Sequence, residues 1–473
     1  MKSNYYFPAL LSLVFVFSLH GISRAANFTV NNNGDTSDVT AGDGICADAG
    51  GNCTLRAAVE ETNALSGNDA INFVASLTNA TITLTTGVEI QISGTNGTLQ
   101  INGLGADMLT IDGGAGSNRI FFTNNAANIT ITGVTMQGGG TLPQGGAIFA
   151  DGGTLVLISV LIRNNVASSR GGGVYYNGGT NHRILNSTIS GNSAASNAGG
   201  IWLASGTLFV ANTTISGNTT TSGGSSGGGV FISGGSATFR NSTITNNSAA
   251  GGGGGFQVNA TLNFGNTIIA GNSAPGFPEI LNFGGTTSAG NNFVGDSAGD
   301  SSNTNVAITY QMSDILNQNP MLGVLQNNGG PTPTRALLAG SPAINTGDNA
   351  KAVDPFNNSP LTTDQRGYAP RTEGIAVDIG AYEFNAVPTA ANVAIGGRVT
   401  FGTNGLSRAS VTLTNSNGEI RSVLTSSFGY FRFDEVPASE TYIVSVNHKR
   451  YIFTPQVVSV VEDLTELNFT AEP

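Results

Sequence analysis

Asn186-Ser187-Thr188-Ile189-Ser190-Gly191-Asn192-Ser193-Ala194 is one copy of a phrase that returns through the middle of the chain. Further copies begin at Asn212, Asn241 and Asn266, and a degenerate one runs from Ser159 to Ala167. The copies recur about every 25 to 29 residues, a period that belongs to solenoids. A unit this short cannot bury an apolar face alone, so successive units must stack to make a core.

Each period holds three short extended runs separated by Gly, Asn and Ser. One follows a glycine pair, as in Val174-Tyr175-Tyr176 and Val230-Phe231-Ile232. The others are typified by Thr207-Leu208-Phe209-Val210 and Ser187-Thr188-Ile189. Runs rich in β-branched and aromatic residues between turn formers are strands. Three strands per coil predict an all-β right-handed parallel β-helix of about ten coils, in which equivalent side chains stack about 4.8 Å apart. Ile162, Ile189, Ile215, Ile244 and Ile269, preceded by Met136, form one inward column. Leu157, Ile184, Val210, Phe239 and Phe264 form a second. Asn165, Asn192, Asn218, Asn247 and Asn272 form a third at a bend, where Asn tolerates positive φ and can bond to the next coil. Leucine-rich repeats share the period, but their leucine spacing and helical segments are missing. Gly, at 67 of 473 residues, is about double its usual share, which tight bends account for.

Residues 1–25 read as a secretory signal: Lys2, an apolar stretch Phe7–Leu19, and small residues at Ser23 and Ala25. The stretch is too short for a stable membrane span and nothing later approaches one, so the expected location is secreted or cell-surface. In an oxidising compartment the only two cysteines, Cys46 and Cys53, are expected to form a disulfide. With a net charge of −11 and Lys only at 2, 351 and 449, no basic patch exists for nucleic acid. Thr54–Leu65 is the one clear helical pattern. Leu55, Ala58, Val59 and Thr62 share a face, with Thr54 placed to cap it. It is expected to sit within a capping module of residues 26–75, as a lid on the open end of a coil stack spanning 76–325.

Cys53-Thr54-Leu55-Arg56-Ala57-Ala58 resembles the Cys-Ser-Leu-Arg-Glu-Ala signature of the CSLREA module of exported bacterial β-helix proteins, with Ala57 where the family has the Glu of a capping box. Asn327-Asn328-Gly329-Gly330-Pro331, Gly340-Ser341-Pro342-Ala343-Ile344, Asp364-Gln365-Arg366-Gly367 and Asp378-Ile379-Gly380-Ala381-Tyr382-Glu383 resemble the choice-of-anchor Q region. Asn345 stands where that family often has Asp. The resemblance implies a surface protein, with residues 326–386 as its anchor-like region. Beyond a composition break, alternating runs at Gly397–Val399, Val411–Leu413, Phe428–Phe433 and Tyr442–Val446 predict a separate C-terminal β-sandwich over 392–473. Turns are expected at Asn417-Gly418 and Val436-Pro437. This part is similar to the carboxypeptidase regulatory-like, transthyretin-like domain, a name that implies no peptidase.

Parallel β-helices include polysaccharide lyases and glycoside hydrolases, whose chemistry needs carboxylates. Residues 152–278 contain no Asp or Glu, so those coils hold no carboxylate pair. Past the signal only His182 and His448 remain, too few for a triad or a histidine zinc site. His182 falls in phase with core leucines. Arg163, Arg170, Arg183 and Arg240 differ in coil phase. The composition weighs against catalysis but leaves open an enzyme site built from loops outside those coils. Two acidic clusters, Asp35/Asp38/Asp43 and Asp364/Asp378/Glu383, are candidates for calcium, with turn formation and pairing to Arg366 as the simpler alternative. No other cofactor is expected.

One working surface follows from strand alternation. In the runs after each glycine pair the middle residues align as Ile148, Tyr175, Trp202, Phe231 and Gln257. If the flanking residues fill the core, Tyr175, Trp202 and Phe231 form an outward aromatic ladder suited to stacking on the sugar rings of a polysaccharide; a covering loop would remove it. The expected function is therefore a non-catalytic, adhesin-like surface protein, with a carbohydrate-active enzyme and a structural spacer as rivals.

Overall fold

The structure is a computed structural model that describes residues 25–93, 97–114, 118–124, 128–224, 226–297, 306–372, 374–388, 392–415, 420–437, 440–460 and 464–471. The secretory signal expected at 1–25, apart from Ala25, and the turn expected at Asn417-Gly418 lie outside them.

Each coil contributes one strand to each of three parallel sheets. In one coil, Thr154–Ile158 belongs to the first sheet, Leu161–Arg163 to the second and Val174–Asn177 to the third. The first and second sheets have ten strands and the third has eight. The stack therefore has about eight complete coils with partial coils at its ends, against about ten expected from the period. The first sheet starts at Asn27–Val30 and Asp69–Phe73, so stacking begins within the N-terminal segment. A fourth, unanticipated element sits at a corner: Val166–Ala167, Ser193–Ala194 and Thr219–Thr220 form a small parallel sheet. Its strands are two residues long, too short to leave a periodic trace in the sequence.

The inward columns are as expected. Met136, Ile162, Ile189, Ile215, Ile244 and Ile269 pair coil to coil and are fully buried. Leu157, Ile184, Val210, Phe239 and Phe264 do the same. The asparagine column forms a continuous ladder. The Nδ2 of Asn165, Asn192, Asn218 and Asn247 each donates to the Oδ1 of the next member at 2.9 Å. Positive φ does not fall on these residues, however. It falls on the residue before each of them, Asn164, Gly191, Gly217, Asn246 and Gly271, and on the first residue of each repeat, such as Asn186 at 51° and Asn212 at 46°. The ladder residue needs its amide aligned with the stack, and its neighbour makes the turn.

At the N-terminal end, helix Leu55–Ala64 is capped by Thr54, whose hydroxyl accepts from the Ala57 amide at 3.0 Å. Leu55, Ala58 and Val59 join the main core, so the helix closes the stack as expected. Cys46 and Cys53 are bridged. Arg56 pairs with Asp35 at 2.8 Å and donates to the Val88 carbonyl at 2.7 Å, tying the helix to a later coil.

The chain after the last coil folds back along the second sheet. Its outward threonines are buried beneath this returning segment. Thr188 donates to the Pro333 carbonyl at 2.6 Å, and Thr214 to Gln365 Oε1 at 2.6 Å. The Ala381 amide donates to Thr243 at 3.0 Å. Asn266 exchanges hydrogen bonds with Asp348 at 2.8 and 2.9 Å. The segment thus crosses several coils and staples them.

The C-terminal part is a β-sandwich. Asn392–Phe401 and Tyr430–Pro437 pair in one sheet, and Ile420–Leu424, Ser410–Thr414, Glu440–Asn447 and Gln456–Val460 form the other. Between them Ile395, Val411, Phe433 and Val444 build a separate core. Among the described residues no helix is long and apolar enough to cross a membrane.

Candidate functional site

The third sheet carries an aromatic column on its outer face. Val174, Ile201 and Val230 on one side and Tyr176, Leu203 and Ile232 on the other are fully buried, so Tyr175, Trp202 and Phe231 point away from the coil core. Their register is Tyr175 to Trp202 to Phe231, as expected. The coil before them is shifted by one: Phe149, not Ile148, pairs with Tyr175, and Phe122 pairs with Phe149. Ala147 occupies the place that Gly173 holds one coil on, which conceals the slip in the glycine pattern. The column thus has five successive aromatics. Tyr175 and Trp202 stack at 6.0 Å with an interplanar angle of 2°, and Trp202 meets Phe231 edge-on at 4.3 Å.

Exposure is where the expectation of an open platform fails. Tyr175, Trp202 and Phe231 are each only 5% exposed. Ala198 packs into the same cluster, from the loop that follows Ser193–Ala194. The Arg170 guanidinium lies 5.0 Å from the Trp202 ring, and Arg119 lies 5.0 Å from Phe149. The loops at this corner stack on one another and overhang the sheet, so the aromatics form a second, outer core. Guanidinium groups over ring faces supply the cation–π contact that a ligand would otherwise make.

The two acidic clusters are spent on the fold. Asp35 holds Arg56 and accepts from the Thr85 and Thr86 amides at 2.7 and 3.0 Å. Asp38 accepts from the Thr40 and Ala47 amides, and Asp43 from that of Ile45. The Thr40 and Ile45 contacts close local turns, and the others tie separate stretches of the N-terminal segment together. Asp364, Asp378 and Glu383 do come together, but around arginines. Arg366 donates to Asp364 at 2.8 Å and lies between the rings of Tyr368 and Tyr382, while Arg371 pairs with Glu383. Asp378 accepts from the Asn345 amide at 2.7 Å, and burial raises its pKa. No three His, Cys, Asp or Glu side chains among the described residues could hold a metal ion.

His182 is buried at the edge of the core. Its Nδ1 accepts from the Leu155 amide at 3.0 Å, which leaves Nε2 to carry the proton and donate to the Gly178 carbonyl at 2.8 Å. Desolvation lowers its pKa, so it is a neutral structural side chain.

One cavity escaped the sequence reading. It holds about 420 Å³ where the returning segment leaves the stack, and Glu279, Asp296 and Arg335 line it. Glu279 terminates the asparagine ladder, accepting from Asn272 Nδ2 at 2.6 Å and the Gly271 amide at 2.9 Å. Burial is the largest cause of its pKa rising to about 7, outweighing these donors. Arg335 donates to Ser216 Oγ at 3.1 Å and the Gly323 carbonyl at 3.1 Å. The signal in the sequence was positional: Glu279 is the first acid after the acid-free coils, one residue beyond Pro278.

No curated protein matches this chain. Residues 118–294 match the family described as "Right handed beta helix region", which agrees with the stacked coils and makes the chain, over those residues, a right-handed β-helix repeat protein.

Proposed function

We propose that this chain is an exported, non-catalytic surface protein that uses its coil stack as a rigid rod and meets a polysaccharide or another cell-surface component. The observation that supports this is the use of its carboxylates. Asp35, Asp354, Asp364 and Glu383 hold Arg56, Arg183, Arg366 and Arg371, and Glu279 holds the end of the asparagine ladder. Acids committed to internal partners stiffen a rod and are not free to flank a glycosidic bond. The Cys46–Cys53 bridge suits an oxidising compartment, as do the signal-like first residues and the resemblances to the CSLREA and choice-of-anchor Q regions. Protease treatment of intact source cells tests the location: loss of the chain, with both cysteines resistant to alkylation, is expected. A chain that stays protected with free thiols would overturn export.

The second reading is a carbohydrate-active enzyme, and Glu279 is the observation in its favour. A carboxyl with a pKa near 7 beside a second acid is the arrangement glycosidases use for a general acid. Its two short hydrogen bonds to the ladder weigh for the structural role.

A further inference from the structure

The outer face of the first sheet carries a groove of about 300 Å³. Its floor is built from outward side chains of adjacent coils. Gln100 and Thr130 stand in register in one column, Asn128 leads the next, and Asn181 lies further along the stack. Among the described residues, none of these four side chains makes a hydrogen bond. Each brings both donor and acceptor capacity, repeated at the inter-strand spacing of about 4.8 Å.

The wall comes from the returning segment. Phe356 is 41% exposed there and packs edge-on to Phe209 at 5.6 Å. The Arg183 guanidinium lies 4.8 Å from the Phe356 ring and pairs with Asp354, while its buried Nε lacks a hydrogen-bond partner. No carboxylate lines the groove, and its one cation is already neutralised.

These features select a ligand class. Strands Thr98–Asn102, Asn128–Thr132 and Thr154–Ile158 are interior to the sheet, so no peptide can add to them as a further strand. An acidic polymer finds no free cation. An uncharged chain dense in hydroxyls, with an apolar ring face for Phe356, meets every group on offer. We propose that this groove binds a neutral oligosaccharide stretch of a polysaccharide, with Phe356 against a sugar ring and Gln100, Asn128, Thr130 and Asn181 taking its hydroxyls. The proposal rests on the surface-protein reading for its partner class, and because no carboxylate lines the groove and the nearby Asp354 is held by Arg183, the groove holds the sugar without cleaving it.

Calorimetric titration of the full chain with cello-, manno- and xylo-oligosaccharides, and with oligogalacturonate as the acidic comparison, tests it. One neutral series is expected to bind, and oligogalacturonate is not. The double variant Gln100→Ala/Asn128→Ala, at exposed positions, should weaken binding by about tenfold or more with an unchanged Tm. Phe356→Ala should weaken it similarly, and Phe356→Trp should retain it. Neutral-sugar binding that survives the double variant within about twofold, or a preference for oligogalacturonate, would overturn the assignment. Absence of binding to all three neutral series would overturn it too, yet leave export standing, because protease treatment of intact cells decides that independently.

Discussion

Asn218 uses its whole amide. Its Oδ1 accepts from the backbone and side chain of Asn192 at 3.0 and 2.9 Å. Its Nδ2 donates to the Ile189 carbonyl and to Asn247 Oδ1, both at 2.9 Å. Only Asn offers two donors and two acceptors at that reach, so the column could be identified from sequence by residue type alone. Asn218→Ala strands buried groups on both neighbouring coils and should cost about 3 kcal/mol or more in chemical denaturation; a loss under about 1 kcal/mol would mean that the apolar columns alone hold the stack. Trp202, the only tryptophan, should emit at short wavelength and resist acrylamide, because loops cover it. Solvent-exposed emission would restore the open platform. The sequence left that cover as an open alternative, since the overhanging loops are rich in Gly, Ser and Ala and carry no signal of what they lie against. Glu279 adds a pH signature. Its folded pKa near 7 exceeds the unfolded value of 4.5, so the folded state holds the extra proton between them. The carboxyl's contribution is full below pH 4.5 and is lost as pH rises through 7, by something on the order of 3 kcal/mol. Glu279→Gln should flatten the stability profile over that window; an unchanged slope would assign it to other groups.

Among the elements, those with strong periods were legible and those set by distant contacts were not. The helix Leu55–Ala64 carried its own cap and apolar face, and Thr54→Ala should cost about 1 kcal/mol through the lost cap, measured by thermal denaturation. The strand at Ile148–Asp151 slipped by one residue in the reading because Ala147 interrupts a run of glycines, and a one-residue slip exchanges the faces of a strand. The returning segment has no strand or helix period over most of its length. Its conformation is decided by partners far away in sequence. Gln365 shows why: its amide donates to Thr188 at 2.7 Å and to Thr332 at 3.0 Å, and its carbonyl accepts from Thr214. Gln365→Ala leaves three buried threonine hydroxyls short of a partner, and a loss of about 2 kcal/mol or more is expected. A neutral result would show that the segment rests on the coils without stapling them.

At the scale of the whole molecule, the rod and the C-terminal sandwich have separate hydrophobic cores. Residues 392–473 expressed alone should therefore fold cooperatively, with an unfolded fragment placing the boundary elsewhere. Three features hold the coil stack together: buried apolar columns, the asparagine ladder, and a chain that doubles back over its own coils. The acid pair that does line a cavity, Glu279 with Asp296, has Glu279 bound to the end of the ladder. The central claim is that this rod holds a polysaccharide without turning it over. It is tested most directly by incubating the purified full chain with a panel of neutral and acidic polysaccharides and following both retention on the polymer and the appearance of new reducing or unsaturated ends. Retention on a polymer recovered at its original length is the predicted result. New chain ends that disappear in Glu279→Gln would contradict it and assign the protein to the carbohydrate-active enzymes.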